Sequence, residues 1–161
     1  MFQLTSRGNY GVLAVFYIAK QAKREFISID EITENTEIPK PYLSKILQNL
    51  CRGGILLSKR GTGGGFALSR RPDQISLREV IEIIEGKIYI VNCLLAPSQC
   101  GRAETCPISP VWVKVQDFIL EIMASITISD IINEGKKQII LDSLETCRIM
   151  YREKVRQMKS E

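Results

Sequence analysis

The stretch KPYLSKILQNLCRGGILLSKRGTGGGF, residues 40–66, decides the fold of this chain. Its first half carries leucine and isoleucine at helical spacing, which predicts a helix from Pro41 to Arg52 with one side in a core. A pair of glycines then ends that helix. Two short apolar runs, 55–59 and 66–69, follow and predict the strands of a hairpin around a glycine-rich turn.

The other side of this helix is polar and is left to face outward. It presents cations, a phenol, a hydroxyl and an amide, on Lys40, Tyr42, Ser44, Lys45 and Gln48. A shorter helix, predicted from Ile29 to about Asn35 behind a capping box of Ser28 and Glu31, precedes it across a tight link. Two short helices joined in this way are typical of a helix-turn-helix, whose second helix enters the major groove of DNA. A small helical domain with a solvated polar face is the alternative for this segment alone.

The turn of the hairpin is the second feature that favours nucleic acid. It contains Arg60, Gly61, Thr62 and Gly63, followed by two more glycines. Glycines let the backbone approach a duplex closely, and an arginine at the base of the turn can reach into a narrow minor groove. We therefore predict a DNA-binding wing. A nucleotide-binding loop is disfavoured because no Gly-Lys-Ser/Thr follows, and Phe66 stands where a dinucleotide fingerprint needs glycine.

Three further helices are predicted from caps and periodicity. A first helix starts at Thr5 or Ser6 and runs to about Ala22, and another runs from Leu77 to about Glu85 behind the N-cap Ser76. A third, long helix takes Ser109 as N-cap and Pro110 in its first turn, and ends near Ser125.

The long helix has two apolar stripes side by side. One stripe is Val111, Val115, Phe118 and Ile122, and the other is Trp112, Ile119, Met123 and Ile126. One can pack on its own subunit while the other packs on a second copy, which predicts a dimerisation helix. A core helix in a monomer is the alternative. A last helix from about Lys136 is expected to dock on the dimer through Ile140, Leu144, Cys147, Tyr151, Val155 and Met158.

Composition and charge restrict the class of protein. The chain has 161 residues, 45% hydrophobic and 25% charged, which suits one domain or one domain with an appendage. Residues 1–75 hold 11 Lys and Arg against 6 Asp and Glu, a net +5, whereas residues 76–161 hold 11 against 12, a net −1. The positive potential therefore belongs to the N-terminal half, as expected for a surface that meets phosphate.

Several functions are disfavoured by what the sequence lacks. There is no histidine, which excludes a histidine-based triad, a histidine general base and a histidine metal ligand. We therefore expect that the protein is not an enzyme. The alternative is a thiol-dependent enzyme with Cys106 as its nucleophile. No apolar run approaches the roughly 20 residues of a membrane span, so no membrane partner is expected. Five cysteines without a disulfide framework predict the reducing cytoplasm.

Three of the five cysteines lie in one polar loop, CLLAPSQCGRAETC, residues 93–106. Its proline, serine, glycine and charged neighbours form loops rather than cores, so packing explains these cysteines poorly. Three thiolates on so short a tether can converge on one soft metal centre, and ligand preference favours an iron–sulfur cluster. Zinc, a disulfide or thiol switch, and simple packing are the alternatives. Cys51 and Cys147, outside the loop, are predicted to pack in the fold.

Together these motifs resemble the Rrf2 family of bacterial regulators. The resemblance rests on LTSRGNY at 4–10, PYLSKIL at 41–47, KRGTGGGF at 59–66 and the cysteine trio, and it covers residues 1 to about 132. It implies a homodimeric winged-helix transcription factor, usually a repressor, that binds double-stranded DNA at a pseudo-palindromic operator. It further implies that Cys93, Cys100 and Cys106 ligate a [2Fe-2S] or [4Fe-4S] cluster that senses iron–sulfur status, redox state or nitric oxide.

The sequence departs from the cluster-binding members of that family in three places. The first cysteine gap is six residues where those members usually show five, Ser109 stands about where some have a histidine, and Asn9 stands about where others have an aspartate. The fourth ligand is therefore open among Glu104, Asn9, a small molecule and solvent. A cluster-free regulator using a thiol switch or a partner enzyme, as in the cysteine-metabolism branch of the family, and a zinc-stabilised interaction module are the alternative functions.

The expected fold is mainly α with a small β-hairpin wing. We divide it into a winged helix-turn-helix DNA-binding domain at 1–86 and a cysteine-rich loop at 87–109. The dimerisation helix with a short following helix takes 110–135, and a C-terminal helical extension takes 136–161.

Overall fold

A computed structural model describes residues 5–21, 24–96, 98, 100–102 and 105–159. These residues form eight helices: α1 (Ser6–Lys20), α2 (Ile29–Thr36), α3 (Lys40–Arg52), α4 (Leu77–Glu85), α5 (Asn92–Leu95), α6 (Ser109–Ser125), α7 (Ile128–Ile132) and α8 (Glu134–Met158). Two antiparallel strands, β1 (Leu56–Lys59) and β2 (Gly65–Leu68), lie between α3 and α4, and the 3-10 helix Pro72–Gln74 follows them. The predicted fold class, mainly α with a small β-hairpin wing, is confirmed.

The serine N-caps of α2 and α4 are confirmed, whereas the predicted capping-box role of Glu31 is not. The hydroxyls of Ser28 and Ser76 accept from the third residue of α2 and α4, at 3.2 Å each. The carboxylate of Glu31, expected to complete a capping box, instead accepts from the Tyr17 hydroxyl at 3.1 Å and from Arg24. It therefore ties α2 to α1 rather than closing its own helix. α6 also starts one residue earlier than predicted, with Ile108 as an N-cap that makes no side-chain hydrogen bond.

The core forms where α3 and α4 pack against α1. The apolar side of α3 is fully buried there through Leu43, Ile46, Leu47 and Leu50. Gly11 lets α1 approach α4, since a Cβ at this position would lie 1.9 Å from the Cδ1 atom of Ile84. A larger residue would force the Ile84 side chain to move.

The hairpin is attached to the helices by backbone pairing. Ile27, just before α2, exchanges two hydrogen bonds with Phe66 of β2, at 2.9 and 2.8 Å. Gly65 allows this approach because its φ is 153° and a Cβ there would lie 2.2 Å from the Ile27 carbonyl oxygen. The hairpin is thus held in a fixed direction relative to α3.

The chain returns to this core after α6. Ile128, at the start of α7, is fully buried with the core residues and donates its N–H to the Ile75 carbonyl at 2.9 Å. The N–H of Leu77 in turn donates to the Ile126 carbonyl at 2.8 Å. The segment that follows the long helix therefore helps to complete the core of the N-terminal helices. Within the described residues, no helix is both long and apolar enough to span a membrane.

Replacing Ile128 by alanine should lower the free energy of unfolding by about 2–5 kcal/mol, because it leaves a cavity where two distant segments meet. Urea unfolding followed by circular dichroism measures this change. Ile149→Ala is the matched control, since Ile149 is 46% exposed on α8, and it should change stability by less than about 0.5 kcal/mol. Equal losses in both variants would contradict the core position of Ile128.

The junction of α7 and α8 depends on one carboxylate. Asp130 accepts from the hydroxyl of Thr127 at 2.6 Å, from the Thr127 N–H at 3.0 Å and from the Lys136 ammonium at 3.3 Å. These hydrogen bonds, with the Thr127 hydroxyl contributing most, lower the pKa of Asp130 below its usual value. The lowered pKa means that the charged carboxylate stabilises the folded state at neutral pH, and that this contribution disappears as the pH falls through the folded pKa.

Asp130→Asn should therefore cost about 1 kcal/mol of stability at pH 7 and markedly less at an acid pH below the folded pKa of Asp130, where the wild-type carboxyl is protonated. Urea unfolding at the two pH values tests this expectation, with Asp142→Asn on the exposed surface of α8 as a control that should show no such pH dependence. A cost that is the same at both pH values would show that the charge of Asp130 contributes nothing.

Candidate nucleic-acid interface and cysteine loop

The polar side of α3 is exposed to solvent, whereas its apolar side is buried. Tyr42 is 62% exposed, Lys45 and Gln48 are also exposed, and Ser44 is half-buried. Within the described part of the chain, the side chains of Tyr42, Lys45 and Gln48 have no hydrogen-bond or ion-pair partner. Their donors are therefore available to a ligand in the groove of a duplex.

Lys40 differs from the other predicted contacts because it is already paired. Its ammonium contacts the carboxylate of Asp30 on α2. Both side chains are more than half exposed, 54% and 66%, so the pair contributes little stability. Lys40 can therefore exchange this carboxylate for a phosphate at small cost.

The tip of the wing requires glycine. Gly61 and Gly63 have φ of 89° and 73°, which a residue with a side chain adopts only under strain. Gly64 donates to the Gly61 carbonyl at 2.9 Å, and a Cβ on Gly64 would lie 2.3 Å from the Lys59 carbonyl oxygen. The predicted wing residues Arg60, Gly61, Thr62 and Gly63 are all exposed at this turn. The Arg60 guanidinium has no ion-pair partner among the described residues.

A cleft of about 610 Å³ separates α3 from the wing. Gln48 and Arg52 line it from α3, and Lys59 and Arg60 line it from the hairpin. The structure thus brings together predicted residues from both elements and adds two cations, Arg52 and Lys59, that the sequence analysis did not assign. Arg52 follows Lys45 and Gln48 at helical spacing, and this periodicity could have identified it.

The three loop cysteines are placed separately. Cys93 lies in α5, whereas Cys100 and Cys106 lie in the loop after it, and all three are free and half-buried. Among the described residues, no three Cys, Asp or Glu side chains are grouped so that they could hold a metal ion. Free thiols of this kind suit a soft metal centre chemically, but the described conformation does not gather them. Glu104 lies outside the described residues, and Asn9 is exposed on α1.

The cysteine loop is connected to α6 at both ends. The N–H of Ile90, shortly before Cys93, donates to the side-chain oxygen of Gln116 on α6 at 3.2 Å. After the loop, the N–H of Ser109 at the start of α6 donates to the Cys106 carbonyl at 3.3 Å. A rearrangement of the loop therefore acts directly on α6.

The two remaining cysteines have different surroundings. Cys51 on α3 packs against the core, as predicted, and its burial raises the pKa of its thiol, while a hydrogen bond with Ser58 opposes the shift. Cys147, also predicted to pack, is exposed on α8. The described part of the chain therefore leaves the apolar side of α8 without a buried residue.

Comparisons with known proteins agree with this arrangement. The family model named Rrf2 and described as an iron-dependent transcriptional regulator matches residues 4–134. The HTH-type transcriptional regulator IscR of Pectobacterium atrosepticum is 26% identical over 144 residues, which are 89% of this chain and 87% of that protein. CymR, the global cysteine regulator of B. subtilis, superposes with a TM-score of 0.70 at 25% identity, over 82% of this chain and 97% of CymR. IscR of T. potens gives a TM-score of 0.68 at 27% identity, over 85% of this chain and 90% of that one.

Proposed function

We propose that this chain, which belongs to the Rrf2 family of winged-helix transcriptional regulators, is a cytoplasmic homodimer. We further expect it to repress transcription from a pseudo-palindromic operator. The proposal adds a sensor to this activity: an iron–sulfur cluster on Cys93, Cys100 and Cys106 that reports iron–sulfur status, redox state or nitric oxide. The observation that carries the DNA-binding part is the open polar side of α3 beside the unpaired Arg60 of the wing.

The two elements suit different parts of a duplex. α3 presents Tyr42, Lys45 and Gln48 in the direction fixed by its buried side, which is the arrangement of a recognition helix in the major groove. The wing presents Arg60 on a turn without bulky side chains, which favours a narrow minor groove. Lys40, Arg52 and Lys59 at the edges of this surface can bind phosphates and supply affinity that falls with salt.

Arg60→Ala should weaken operator binding about 10-fold or more and leave the fold and the dimer intact, because Arg60 is exposed and has no ion-pair partner among the described residues. Fluorescence anisotropy with a labelled operator duplex, at several salt concentrations, measures the affinity and the slope. Arg71→Ala is the control, since Arg71 is an exposed arginine beside the 3-10 helix. Unchanged operator binding by Arg60→Ala at moderate salt would show that the wing does not contact the DNA as proposed.

The cluster part of the proposal is supported by the donor set and the family. The loop supplies three free thiols, the chain has no histidine to compete as a ligand, and the family model is described as iron-dependent. When bound, an iron–sulfur cluster supplies iron sites that small oxidants attack. The chain's own contribution is mechanical: Cys93 and Cys106 lie next to the hydrogen bonds that join the loop to α6. A change in the loop then alters the pose of α6, and with it the spacing of two α3 helices in a dimer.

Cys100→Ser should abolish retention of iron and sulfide while leaving a folded dimer, since the Cys100 side chain is not part of the core. The visible absorption spectrum and the iron and sulfide counts of protein purified without oxygen test this. Cys147→Ser is the matched control and should keep the full cluster. Retention of a full cluster by Cys100→Ser would show that the ligand assignment is wrong.

A second candidate is a cluster-free regulator that uses a thiol switch or a partner enzyme. Two observations favour it: the chain is as similar to CymR as to IscR, and the described loop does not gather its thiols. A wild-type protein that stays colourless after reconstitution with iron and sulfide would select this function. The DNA-binding surface is the same in both cases.

A further inference from the structure

Helix α8 lies almost entirely beyond the region that matches the family, which ends at residue 134. It has 25 residues, Glu134–Met158, so it is about 37 Å long at a rise of about 1.5 Å per residue. No residue of α8 is buried, and the short α7 is the helix on which α8 packs most closely within the described residues. A helix that projects in this way needs tertiary contacts, because propensity alone leaves isolated helices marginal in water.

The apolar side of α8 faces that of α6 across a groove. Val111, Val115 and Phe118 are 55%, 39% and 50% exposed on α6, and Leu144 and Tyr151 are 38% and 70% exposed on α8. All five side chains line one cleft of about 890 Å³. The second stripe of α6, with Trp112, Ile119, Met123 and Ile126, is half-buried instead. The two stripes are therefore used differently, and the stripe in the groove is the more exposed one.

We infer that α6 of a second copy occupies the groove between α6 and α8, and that α8 closes over it. This inference rests on the proposed homodimer and extends it to the C-terminal helix. Two-fold symmetry places the same stripe of each copy in the groove of the other, so that α6, α8 and their mates form a four-helix bundle. The 25-residue extension thus acts as a clamp on the dimer.

Charge favours a second copy over an unrelated helix. Asp117 and Glu121 stand on α6 beside the apolar stripe, and Lys114, also on α6, lines the groove. Within the described residues, none of these three has an ion-pair partner. A partner's α6 brings carboxylates to the groove where an unpaired lysine already lies. The groove is also continuous with the proposed dimer face of α6, since the same residues form both.

Leu144→Glu and Tyr151→Glu, made separately in the full chain, place a charge in the groove. Each should raise the dimer dissociation constant at least about 10-fold, as expected for the centre of an interface. Sedimentation velocity over a range of protein concentrations measures this constant, and far-UV circular dichroism checks that the helix content is retained. Ile149→Glu is the matched control: Ile149 is 46% exposed on α8 and does not line the groove, so this change should leave the constant within about two-fold.

The outcomes separate the clamp from the dimer itself. A wild-type dimer whose dissociation constant is unchanged by Leu144→Glu and Tyr151→Glu overturns the clamp and leaves the proposed homodimer standing. Equal weakening by Ile149→Glu also overturns it, because α8 would then act through its helical stability rather than through the groove. A wild-type protein that is monomeric at micromolar concentration overturns the proposed homodimer, and the clamp with it.

Discussion

Four apolar side chains of α3, those of Leu43, Ile46, Leu47 and Leu50, enter the core and so determine what the rest of the helix can do. Full burial of such a side chain stabilises the fold by about 1.5–3 kcal/mol, so a rotation of α3 about its axis would be costly. The helical period then directs Tyr42, Lys45 and Gln48 to solvent. The DNA-facing surface is thus a consequence of core packing.

The wing obtains its position from the same domain by a different interaction. Backbone pairing between Ile27 and Phe66 attaches the hairpin to the segment before α2, and the glycine at position 65 makes this close contact possible. α2, α3 and the hairpin therefore form one unit, with a cleft between α3 and Arg60 of the wing. In the proposed complex, one duplex would contact both sides of the cleft together.

Features with a local cause were accessible to sequence analysis. α4 spans Leu77–Glu85 as predicted, because a serine cap and a glycine mark its two ends. The contact of Ile128 with Ile75 was not predicted, since no local pattern records which apolar residues meet across fifty residues of chain. The same limit applies to the cysteine loop, where the sequence spacing identifies three thiols as possible metal ligands but does not show whether they meet at one point. Cys147 is exposed because the described residues bury no side chain of α8, which periodicity alone does not reveal.

The cysteine loop, α6 and α8 share one mechanical arrangement. The loop is hydrogen-bonded to α6 at both ends, α6 carries two adjacent apolar stripes, and α8 faces one of these stripes across a groove. In the proposed dimer, a change in the loop would therefore alter the relative placement of two DNA-binding units. This connects a chemical signal to the spacing of the recognition helices without a change inside either winged-helix domain.

The most direct measurement is selection of bound sequences from a library of randomised duplexes, followed by hydroxyl-radical footprinting on the selected DNA. A dimeric winged-helix regulator should enrich an inverted repeat whose half-sites lie about one helical turn, or a small multiple of it, apart. Protection should extend into the minor groove next to each half-site, where the wing lies. Enrichment of no sequence, or of a single unrepeated half-site, by both iron-loaded and iron-free protein would contradict the account.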